Sequence, residues 1–237
     1  MKNRLLKWLL FLLVLSGLIA FVVRFGLPQV MRAYISIGIG DCSKIPILCM
    51  EPKETEANFT IDKTCILEFI PLDFPKTKIC VPKGFKVVQE LVQKPYYKKQ
   101  KRRGGEPVIY ILHQPPGFFI KLFPQVKKFG ITSNYEFMRS LMHARESNIN
   151  NLDDAFFVIL KSIFTPDLGD QRSAEMIQFS LGERDYFVNY NLTGPVNFFD
   201  CSIITKEGDF FKVYIKDMRK ELDLKKVLSI ISTIDAA

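Results

Sequence analysis

From Trp8 to Val23 the chain reads WLLFLLVLSGLIAFVV, sixteen residues with no charge and almost all apolar. As a helix this run is about 24 Å long, a little short of the ~30 Å hydrocarbon core of a bilayer. Lys7 and Arg24 bracket it and can extend their ammonium and guanidinium groups to the headgroups, while Leu5, Leu6, Phe25 and Leu27 lengthen the greasy surface. The expectation is a single transmembrane helix bounded by Trp8 and Val23, acting as a signal anchor. A cleaved signal peptide is the alternative, but Leu18-Ile19-Ala20 puts Leu where a small residue is needed before the cut. Lys2, Arg4, Lys7 and the α-amino group precede the run, against Arg24 and Arg32 before the first acid, Asp41. That asymmetry places the N-terminus in the cytoplasm and everything after the helix outside, in the periplasm or the extracellular space.

The formal net charge of +8 suggests a nucleic-acid partner until it is divided. The anchor flanks hold four of those charges, and Lys94, Lys98, Lys99, Lys101, Arg102 and Arg103 hold six within ten residues. The remainder is close to neutral, so no nucleic-acid partner is expected. With 48% hydrophobic residues, 21 Phe and 8 Tyr, the chain can bury a substantial core.

Cysteine spacing fits an oxidising compartment. Cys42 and Cys49 form one local pair and Cys65 and Cys80 another, while Cys201 stands alone. Five buried thiols are the competing reading. The absence of any C-x-x-C, and of a histidine spaced to join a cysteine pair, argues against zinc. No cofactor is implied.

The chain divides into an anchor and stalk over 1–33, a cysteine-containing segment over 34–75, and a folded domain over 76–237. Within the last, strand patterns are expected over 78–81, 86–90, 107–113 and 118–123. Ser133-x-x-Glu136 is a capping box opening a helix that stacks Phe137 on Leu141 and Met138 on Met142. Asn151 or Asp153 caps a second helix carrying Phe156, Ile159, Leu160 and Ile163, ended by Thr165-Pro166. Strands follow over 175–181, 185–190, 198–205 and 210–215, joined by glycine-containing links of hairpin length. The last has one apolar face, Phe211, Val213 and Ile215, and one mixed face, Phe210, Lys212, Tyr214 and Lys216. A closing helix carries Leu224, Val227, Leu228, Ile231 and Ile234 on one stripe. The fold class is therefore α+β: an N-terminal transmembrane helix, then a mainly antiparallel sheet packed with three helices.

Ile79-Cys80-Val81-Pro82-Lys83-Gly84-Phe85, the final strands and the terminal helix through Ser229 to Ile234 resemble the PsbP-like superfamily of α/β/α sandwiches. The resemblance covers roughly residues 76–237 and implies an accessory or interaction domain rather than an enzyme. The basic insert and the N-terminal cysteines depart from that pattern.

Tyr96 and Tyr97 beside the six cations of 94–103 could grip anionic lipid or polymer, or form a solvated loop. His113 and His143, the only histidines, read as structural. Asp153-Asp154 suits a helix N-terminus, and Asp167 and Asp170 sit in a turn. Asn58-Phe59-Thr60 and Asn191-Leu192-Thr193 match a glycosylation triplet. No catalytic motif emerges. The leading expectation is a membrane-tethered envelope domain that binds a protein partner. The alternatives are a hydrolase whose site is assembled from distant residues and a surface module using the basic loop.

Overall fold

In the computed structural model residues 2–56, 69–71, 77–89, 107–165 and 173–236 are described. The apolar run lies in a helix that does not stop where it ends. Helix α1 (Lys2–Phe21) passes through one π-helical turn (Val22–Gly26) into α2 (Leu27–Gly38). The Leu27 N–H reaches back to the Val22 carbonyl, five residues away. This widened turn falls where the Pro28 ring would otherwise press on the Arg24 carbonyl of a regular helix. The stretch Phe11–Gly38 is 28 residues long, its most apolar 18-residue window has mean hydropathy 2.1, and it is long and apolar enough to cross a membrane. The helix therefore runs through position 33, where the stalk was expected to end.

The domain is built on a seven-stranded sheet ordered β1-β6-β7-β8-β9-β5-β4. Its strands are β1 (Lys53–Glu54), β4 (Lys86–Gln89), β5 (Val108–Gln114), β6 (Glu175–Leu181), β7 (Arg184–Asn191), β8 (Asn197–Thr205) and β9 (Phe210–Asp217). β6 through β9 form an antiparallel meander, as the glycine-containing links lead one to expect, and β9 pairs antiparallel with β5. Both edges are parallel pairs, β1 with β6 and β4 with β5. A small second sheet pairs β2 (Phe69–Pro71), β3 (Thr77–Cys80) and β10 (Asp235–Ala236).

The sheet has two unlike faces. One carries Ile109, Ile111, Val188, Phe199, Cys201, Val213 and Ile215, and buries them against α6 (Leu224–Ser232) through Val227, Leu228 and Ile231. The other buries Met176, Phe187, Ile204 and Phe210 under α2, α3 (Phe118–Leu122), α4 (Asn134–His143) and α5 (Leu152–Phe164). The result is three layers, with helices on both sides of a mostly antiparallel sheet.

Two local expectations are corrected. Residues 118–122 form α3, not a strand: Gly117 turns the chain at φ 70°, and Phe119 then stacks 4.6 Å from Phe137 and edge-on to Phe210. Adjacent apolar residues serve either structure, and here the neighbouring rings decide. In α5 the buried side is Ala155, Phe157, Val158, Leu160 and Lys161, while Ile163 remains 49% exposed. The helix is apolar nearly all round, so periodicity alone could not select its inner face. The capping box is present as read: Ser133 accepts from the Glu136 N–H, and Glu136 accepts from the Ser133 N–H. Asn151, rather than Asp153, caps α5.

Candidate functional site

Where α2 meets the domain, apolar packing and buried polar bonds coincide. Pro28 and Ile35 are buried on the inner side of α2, with Met31 and Ile39 packed beside them. The Arg32 guanidinium donates to the carbonyls of Ser147 and Ile149, at 2.9 and 3.0 Å. Just beyond, a disulfide joins Cys42 to Cys49 across a Cα–Cα distance of 5.7 Å, the first of the two expected pairs. Cys42 Sγ lies 3.1 Å from Glu146 Oε2. The donor atoms of Cys42, Cys49 and Glu146 cluster within 4.8 Å, yet the disulfide leaves neither sulfur as the thiolate a metal would need.

After the disulfide, Glu51 accepts from Arg145 at 2.8 Å and meets His143 Nδ1 at 3.3 Å. His143 Nε2 lies 2.8 Å from Gln178 Oε1 on β6. Beneath this group sits Lys161, with no solvent exposure. Its ammonium donates to the carbonyls of Met50, Met142 and Ala144 at 2.7, 2.6 and 2.9 Å. All three protons are used, and two of the acceptors are end-of-helix carbonyls of α4 that lack partners within the helix. Burial pushes the Lys161 pKa down to about 7, opposed by Glu51 and aided by Arg145. The lead-in chain is thus tied to α4 and α5 by a disulfide, an arginine and a buried lysine.

A second polar group lies at the centre of the sheet, on the helix-facing side but beyond the helices' apolar contact. Asp200 and Ser202 on β8 are fully buried, as is Asn189 on β7. Lys212 on β9 donates to Asp200 Oδ2 at 2.7 Å and Ser202 Oγ at 3.2 Å. Asn189 donates to the same carboxylate oxygen at 3.3 Å. Asp200 Oδ1 and Asn189 Oδ1 are buried without a hydrogen-bond partner among the described residues. Burial drives the Asp200 pKa up, with Lys212 and Asn189 pulling the other way. Burial likewise raises that of Cys201, whose thiol is inert.

Each histidine has its own carboxylate. His113 Nε2 lies 2.7 Å from Asp209 Oδ1, with the ring tilted 43° to that of Phe211 at a centroid distance of 4.8 Å. His113 belongs to the α6-facing side of β5, whereas His143 meets Gln178 on the opposite face, at the far end of the strand order. Neither imidazole is hydrogen-bonded to a seryl hydroxyl among the described residues. His113 and Asp209 would supply two of the three parts of such a hydrolase site, and no seryl hydroxyl joins them among the described residues.

The basic segment with Lys94, Tyr96, Tyr97, Lys98, Lys99, Lys101, Arg102 and Arg103 lies outside the described residues, as do Cys65, the Asn58 triplet, Asp167 and Asp170. Cys80 is buried on β3 and faces Phe69 across the ladder. Asn191 is buried and accepts from the N–H and hydroxyl of Thr193, so its amide is not presented to a glycosylating enzyme in the folded chain. The sequence reading missed Arg32, Lys161 and the Asp200–Lys212 pair. Two signals were present: a lone lysine inside FVILKSIF and a lone aspartate inside FFDCSII. No family model matches the chain, and no curated protein and no solved structure is significantly similar to it.

Proposed function

We propose that this chain is a single-pass, membrane-tethered domain of the cell envelope, held outside the cytoplasm, that works by binding a protein partner as an accessory or assembly factor. The observation that carries the reading is the helix Phe11–Gly38: its most apolar eighteen residues are 6% buried, yet its last turns are built into the domain. From Trp8, where the apolar run begins, to Gly38 the continuous helix measures about 46 Å, roughly 16 Å more than a hydrocarbon core needs. The surplus matches the part of α2 that Pro28, Arg32 and Ile35 hold against the domain. The Cys42–Cys49 disulfide supports an oxidising side of the membrane. Helices on both faces of the sheet are compatible with the PsbP-like resemblance, which favours binding over catalysis.

The test pairs fractionation with topology. The full chain should stay in the membrane pellet after alkaline wash. A C-terminal phosphatase that folds only when oxidised should be active, and a C-terminal cytosolic reporter silent. A soluble product, or the reverse reporter pattern, overturns the proposal.

A further inference from the structure

Among the described residues, helices cover only half of the helix-facing side of the sheet. Beyond Phe187, Ile204 and Phe210, the same face continues across β8, β9, β5 and β4 with a different composition. Tyr214 stands opposite Tyr110 on one side and Asp200 on the other. Phe198 stands opposite Lys216, Lys216 opposite Val108, and Val108 opposite Lys86. The three rings form a row, with centroids 6.1 Å apart for Tyr110–Tyr214 and 6.2 Å for Phe198–Tyr214. All three are partly exposed, as is Lys216, and Lys86 is exposed.

The charges on this patch are one-sided. Asp200 is neutralised by Lys212 and fully buried. The ammonium groups of Lys86 and Lys216 have no hydrogen-bond or ion partner among the described residues. Cross-strand neighbours lie about 5 Å apart, so Lys86 and Lys216 lie beside the aromatic row within one ligand's reach. A row of partly exposed rings edged by two lysines favours a ligand with apolar ring faces and anionic substituents.

We infer that this sheet face is a binding platform for an anionic saccharide, one carrying carboxylate, phosphate or sulfate groups. A sugar ring presents a C–H face that covers an aromatic ring, whose negative face attracts those hydrogens, while the anions reach Lys86 and Lys216. Lipid headgroups offer no such stack of ring faces. Nucleic acid would satisfy both features, and it is set aside because the domain is proposed to lie outside the cytoplasm; the choice of saccharide rests on that reading. The Lys212–Asp200–Ser202 bonds fix the floor between Tyr214 and the apolar half of the face.

The test uses the full chain in detergent, with heparin as the anionic probe and dextran as the neutral one. Lys94, Lys98, Lys99, Lys101, Arg102 and Arg103 are first replaced by Gln, because six cations would hold any polyanion. In that background heparin should bind, dextran should not, and Tyr110→Ala with Tyr214→Ala should weaken heparin about tenfold. Lys86→Gln with Lys216→Gln should flatten the salt dependence. Unchanged affinity in both pairs overturns the inference. So does equal or tighter binding of single-stranded DNA or phosphatidylglycerol vesicles. Binding in detergent does not depend on which side of a membrane the domain occupies, so a failure here is separable from a failure of the topology experiment.

Discussion

The ammonium of Lys161 donates a hydrogen bond to the carbonyl oxygen of Met142 at 2.6 Å, in a position closed to solvent. With the bonds to Met50 and Ala144 it joins three chain segments through one atom. Lys161→Met keeps the stem volume and leaves three carbonyls without their donor. It should cost about 2–4 kcal/mol in chemical denaturation. The folded pKa, about 7, lies below the 10.5 of a free lysine. Between those values the unfolded chain holds a proton that the folded chain has lost. Stability therefore rises with pH from about 7 toward the ordinary lysine range, and the contribution is lost as pH falls through 7. Denaturation at pH 6.5, 8 and 9.5 should show that rise in the native protein and not in Lys161→Met.

Arg32 is the only charged side chain of α2, and its two bonds reach across more than a hundred residues. Arg32→Ala should lower stability by about 1.5–3 kcal/mol and speed proteolysis of the 39–50 segment. Arg32→Lys should restore little, since an ammonium cannot fork to two carbonyls as a guanidinium does. Limited proteolysis of the three proteins side by side measures both effects.

Opening the Cys42–Cys49 bridge should cost about 2–3 kcal/mol by the loop-closure relation for so short a ring. Calorimetry of the native protein against Cys42→Ser with Cys49→Ser reads the difference directly. Adding a reductant should lower the native Tm toward that of the double variant and leave the double variant unchanged.

Asn134 is buried at the start of α4 and accepts from the Phe119 N–H while donating to the carbonyls of Pro115 and Gly208. It fixes α3, α4 and the β8–β9 turn to one another. Asn134→Ala should cost about 2–4 kcal/mol, several times the effect of Ser133→Ala, which removes one capping bond worth about 1 kcal/mol. Urea denaturation of the two variants ranks them.

The elements set by local pattern were readable: the meander of β6 to β9, the capped α4, and α6 with Val227, Leu228 and Ile231 inward. The parallel edges were not, because β1 pairs with a strand more than a hundred residues away and carries only two residues of its own. α3 was unreadable for a different reason, since Phe118-Phe119-Ile120 fits strand or helix and the ring of Phe137 settles it. The candidate site was the least legible part. Lys161 and Asp200 owe their meaning to what encloses them, and enclosure is a property of the assembled layers. Lys212 and Tyr214 had been assigned to a mixed face, correctly, but nothing in the strand itself showed that Tyr110 and Phe198 would lie alongside.

The π-helical turn at Val22–Gly26 joins two helical segments without interrupting them, and the second is pinned to the sheet's layers. Such a connection transmits torque where a loose linker would absorb it. Each residue advances a helix by about 100°, so a single residue inserted at Val23 would swing the whole domain more than a quarter turn about the helix axis. The heading of the sheet is therefore encoded in the length of its own shaft.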